Sequence, residues 1–159
     1  MKEKSNYWIA SVVAANIVAF EILFALIFII VQHFFLSAPF MQILSSAFTT
    51  IFGVLLGSWY AARYLKSRTA IKGENIMRIA IAVSLFLLIL YYFFSVAGLS
   101  WNLFAPGSGS SGGPSIFVGL LQDLAWSLIY SVFVYFVVRR DLRKISNTQI
   151  ITPTNEIQK

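Results

Sequence analysis

Four stretches of this chain, Trp8 to Val31, Phe40 to Tyr64, Ile76 to Gly98 and Ile116 to Val138, are long and apolar enough to cross a membrane. About 20 apolar residues in a helix cover the ~30 Å hydrocarbon layer. Hydrocarbon offers the backbone no water to bond, so each stretch must satisfy its own N–H and C=O groups as an α-helix. The expected fold class is therefore all-α, a four-transmembrane-helix bundle built from two antiparallel helical hairpins. Composition agrees: the chain is 58% hydrophobic and 11% charged, with a mean hydropathy of +0.79, whereas soluble domains carry about a quarter charged residues. Residues 1–144 are expected to form one membrane domain. Residues 145–159 read as a polar, disordered cytoplasmic tail.

The basic residues predict how the chain sits in the bilayer. Lys2 and Lys4 precede the first stretch, Arg63, Lys66, Arg68, Lys72 and Arg78 surround the second connection, and Arg139, Arg140, Arg143, Lys144 and Lys159 follow the fourth stretch. These are all twelve lysines and arginines, and they fall on one side. The other two connections, "QHFFLSAPFMQ" and "LSWNLFAPGSGSSGGPS", have none. Since basic flanks stay cytoplasmic, both termini are expected inside, in a multi-pass protein of the plasma membrane. The net charge of +6 then reads as a topology signal with attraction to anionic headgroups. The lipid bilayer is the expected partner, and no nucleic-acid surface is read from that charge.

Several function classes lack their chemistry here. Without cysteine there is no thiol redox centre and no thiolate metal site. A single histidine, His33, cannot supply a histidine-rich metal or haem site within one copy, and a place near a helix end accounts for it. No metal and no cofactor are expected. Gly109-Ser110-Ser111-Gly112-Gly113 matches the G-x-S-x-G pattern of serine hydrolases, but that chemistry needs a strained strand-to-helix turn and a histidine base held by an acid. A Gly/Ser tract produces the match by composition, and no enzyme is expected. The basic N-terminus followed by an apolar run is similar to a signal peptide, yet the run is longer than a signal core and contains Glu21. It reads as a retained first span.

Two sets of residues in the spans call for an explanation. Ser46, Thr50, Gly53 and Gly57 recur three or four apart on the second stretch, so they share one helix face. In lipid, small residues let another helix approach closely. Packing within the chain is the first reading of this face, and self-association or contact with another membrane protein the second. Glu21 and Asp123 are the acids placed deep in the spans. Glu21 lies about 20 Å from Trp8 and about 18 Å from His33 by helical rise, near mid-membrane, and Asp123 about 12 Å in from Ser115. An acid at such depth is costly and faces a helix interior. With no cation at that depth, at least one of the two is expected to hold its proton.

Asn16, Gln122 and Ser127 extend this set to a polar seam, provided that the first and fourth helices are neighbours. The seam has two readings. One is interhelical hydrogen bonding that fixes register, in a non-enzymatic scaffold or accessory protein of the membrane. The other is a proton or cation site in a small transporter or channel. A lone glutamate in the first span of a small four-span chain resembles the small multidrug exporters. That family's A-E-x-x-G-T pattern is missing around Glu21, and the one-sided charge opposes dual insertion, so no family is assigned.

Overall fold

The computed structural model describes residues 5–35, 39–69, 71–104 and 116–151. They form four helices and no strand: α1 (Asn6–Phe35), α2 (Pro39–Lys66), α3 (Gly73–Phe104) and α4 (Ile116–Ile151). Among the residues whose side chains are described, three segments are long and apolar enough to cross a membrane, Asn6–Val31, Gly73–Phe94 and Leu120–Asn147. The second helix is as long as α1 within two residues, 28 against 30. The expected second span, Phe40 to Tyr64, begins in residues 40–46, whose side chains lie outside the described residues.

Local chemistry sets the ends. Ser5 caps α1: its hydroxyl accepts from the Trp8 N–H at 3.3 Å and its carbonyl from the Ile9 N–H at 3.2 Å, which satisfies donors that a first turn leaves open. At the far end of α2 the N–H groups of Arg68 and Thr69 both donate to the Leu65 carbonyl, at 3.0 and 2.9 Å, closing the turn into α3.

Packing joins the helices in a ring. α1 lies on α2 and α3, and α4 lies on α3 and α2. The pairs α1/α4 and α2/α3 therefore face each other across diagonals. α1 and α2 run antiparallel, and an aromatic ladder follows their seam: Phe20 on Tyr60, Phe24 on Phe52 and Phe28 on Phe48, with ring centroids 5.8, 6.1 and 6.5 Å apart. The α3/α4 hairpin is tied by the Ser131 hydroxyl, which donates to the Ser84 carbonyl at 3.2 Å.

Much of the core collects at the end that carries the basic residues. Leu65, Ile71, Ile76, Ile79, Leu142 and Ile145 are all buried there, so the α2/α3 connection is packed as well as charged. The sequence reading starts a polar tail at residue 145. α4 continues to Ile151, because Val138, Leu142, Ile145 and Ser146 fall on one helix face and are buried. Residues 152–159 lie outside the described residues.

Candidate functional site

Glu21 is on the inner face of α1. Val13, Ile17 and Glu21 succeed one another at four-residue steps and are all buried, while Ile22, Leu23 and Leu26 point outward. The carboxyl-bearing residue is only 8% exposed. Burying it this closely depends on α2, where Gly53 faces Glu21 and Gly57 faces Ile17. A Cβ on Gly53 would overlap the Glu21 Cγ, and one on Gly57 would come within 2.6 Å of the Ile17 Cα and 2.9 Å of the Asn16 carbonyl oxygen. Glycine thus lets the two helix backbones meet directly.

The partner of Glu21 comes from the opposite corner. The Tyr130 hydroxyl on α4 donates to Glu21 Oε1 at 2.8 Å, and Tyr130 is itself 7% exposed. This bond crosses the α1/α4 diagonal. The Tyr130 ring lies against Tyr91 of α3, centroids 4.4 Å apart and planes 35° inclined, and the Thr50 side chain of α2 is in hydrogen-bonding range of Tyr91. The second contact crosses the α2/α3 diagonal. One polar residue from every helix therefore meets at a single level.

The remaining sequence candidates are distributed differently. Asp123 precedes Tyr130 by seven residues, about 10 Å along α4. It is partly exposed, and no hydrogen bond or ion pair joins it to Glu21 among the described residues. The expected approach of the two acids needed α1 and α4 to be neighbours; they are diagonal, and the α4 residue long enough to reach across is Tyr130. Asn16 turns back on its own helix, its Nδ2 donating to the Val12 carbonyl at 2.8 Å. Gln122 is exposed, whereas Ser127 is buried one turn before Ser131. Ser46 is in α2 and His33 in α1, but their side chains, like the 109–113 tract, lie outside the described residues.

The sequence reading missed both Tyr130 and Tyr91. A signal for Tyr130 was present: it lies well inside the fourth apolar stretch, and a buried phenol needs a hydrogen-bond partner. Asp141, near the basic end, was also passed over. It is 3% exposed, and its Oδ1 accepts from Arg140 Nε at 2.9 Å.

The cluster has limited chemistry. A carboxyl, two phenols and a hydroxyl can hold or pass a proton; since Oε1 of Glu21 is the acceptor for Tyr130, a carboxyl proton would sit on Oε2. No group of three or more histidine, cysteine or acidic side chains placed to hold a metal occurs among the described residues. No family model, curated protein or solved structure matches the chain.

Proposed function

We propose that the chain is a non-enzymatic scaffold or accessory protein of the plasma membrane, crossing it four times with both termini in the cytoplasm. The Glu21 cluster is then its register lock. Supporting a fourth crossing, α2 accompanies α1 from the Phe28/Phe48 contact to the Gly57/Ile17 contact, so it shares the depth of a helix that is apolar enough to span. Supporting the orientation, the basic residues gather at one end of the helices.

The observation that carries the lock reading is the enclosure of Glu21. Its carboxyl is engaged by Tyr130 and closed over by Gly53, and the second acid stands two turns away along α4. A transport site needs an exchangeable ion and a path; a register lock needs a single well-fitted bond between elements that are otherwise greasy. A second reading, proton- or cation-linked transport, draws on the continuity of Glu21, Tyr130, Tyr91 and Thr50 across both diagonals.

Glu21→Gln separates the two, because an amide oxygen still accepts from Tyr130 while the titrating group is gone. In proteoliposomes under an imposed pH gradient, the lock reading expects no gradient-driven flux from either protein and retained helicity in both. A flux in the native protein that disappears in the variant would establish transport instead.

A further inference from the structure

A groove of about 660 Å³ runs along the outside of the seam between α1 and α3. Such a volume falls among those of small-molecule sites, which range over roughly 300–1,000 Å³. On α1 its wall is made by Ser11, Ala15 and Ala19, small residues one turn apart; on α3 it is made by Ala82, Phe86 and Leu90. The α3 wall covers eight helical rises, about 12 Å, close to the depth of one leaflet, half of the ~30 Å hydrocarbon layer. A cleft this long and apolar matches one acyl chain.

The end of the groove indicates which lipid. Tyr7 lines it there and is 81% exposed. Arg78 lies on the Ala82 and Phe86 row of α3, one turn before Ala82. The two ends are level: Tyr7 is fourteen residues before Glu21 and Arg78 thirteen before Tyr91, and Glu21 and Tyr91 both touch Tyr130. Both residues therefore stand about 20 Å from the cluster by helical rise, at the basic end. Arg78 is exposed, and no ion pair engages it among the described residues, not even with Glu74 one turn away. A guanidinium offers forked donors that suit a phosphate. We infer that this groove holds an acyl chain of an anionic phospholipid whose phosphate is taken by Arg78 and whose headgroup lies beside Tyr7.

This inference uses the placement of the helices in a bilayer but neither the scaffold nor the transport reading. The test is native mass spectrometry of the detergent-solubilised full chain, mixed with equal amounts of dioleoyl phosphatidylglycerol and dioleoyl phosphatidylcholine. The native protein should retain one phosphatidylglycerol in preference to phosphatidylcholine. Arg78→Gln, at an exposed site, should lower that preference about fivefold, the effect of one basic residue near an anionic lipid surface. Ala15→Leu, which fills the cleft, should reduce retention of both lipids, with helicity checked by circular dichroism. Equal retention of the two lipids by the native protein, or an unchanged preference in Arg78→Gln, overturns the proposal. So does a dimer without bound lipid that Ala15→Leu abolishes, which would make a second copy the occupant. Release of the chain from membranes by alkaline carbonate, without detergent, would instead defeat the bilayer placement itself.

Discussion

Tyr130→Phe removes one hydroxyl and leaves the ring that packs on Tyr91, so it isolates the bond to Glu21. Two magnitudes compete. Interhelical hydrogen bonds in membranes average about 0.6 kcal/mol and reach about 1.7, while a buried acceptor left without its donor costs about 1–3 kcal/mol. Because Glu21 is enclosed, the second effect should dominate, and Tyr130→Phe should destabilise the fold by about 1–2 kcal/mol in unfolding by denaturing detergent. Glu21→Gln should cost less, since the amide still accepts. When Tyr130→Phe is paired instead with Glu21→Ala, which removes the acceptor, the two losses should fall short of their sum, the sign of a direct contact; strictly additive losses would show that the residues do not interact. Asp141 offers a second test at this scale. Its Oδ2 has no hydrogen-bond partner among the described residues, and its Oδ1 depends on an arginine whose side chain is 54% exposed. Solvent weakens such a pair, yet removing the arginine strands a buried carboxylate. Arg140→Ala should therefore destabilise by about 1 kcal/mol and Asp141→Asn by less; the reverse order would mean that the ion pair contributes nothing.

Helix α2 depends on its glycines in unequal degree. A Cβ on Gly53 meets first the Glu21 Cγ, with the Glu21 Cα and N at 3.0 and 3.1 Å, while one on Gly57 meets the Ile17 and Asn16 backbone more closely, at 2.6 to 2.9 Å. Gly57→Ala must push the helices apart and should cost about 1–3 kcal/mol, as overpacking generally does. Gly53→Ala should cost less in stability, but it should disturb the Glu21–Tyr130 bond. Combining it with Tyr130→Phe then adds little further loss. Detergent-induced unfolding followed by circular dichroism checks both, and equal costs at the two positions would contradict the geometry. The spacing of this face was legible from the sequence. Its counterpart was not, because a run of small residues says that something approaches closely without saying which helix does.

For the whole molecule, the proposed topology makes a direct prediction. The chain has no cysteine, so single cysteines report cleanly. Ser67→Cys, at an exposed site after α2, should react with a membrane-impermeant maleimide only in inverted vesicles, and Ser110→Cys only in right-side-out ones. Labelling of both from the same side would reduce the number of crossings. By itself the sequence determined four helices and their order, and it placed Glu21 well inside the first of them; length, hydropathy and charge are properties of single segments. Only the tertiary structure decided that α1 and α4 stand on a diagonal, that Tyr130 and not Asp123 reaches Glu21, and that Ile145 and Ser146 extend the packed helix. The physical reason lies in the spans themselves. A helix that is apolar on every side has no polar stripe to reveal its rotation, so the faces that meet are selected by close packing, two glycines and one hydrogen bond.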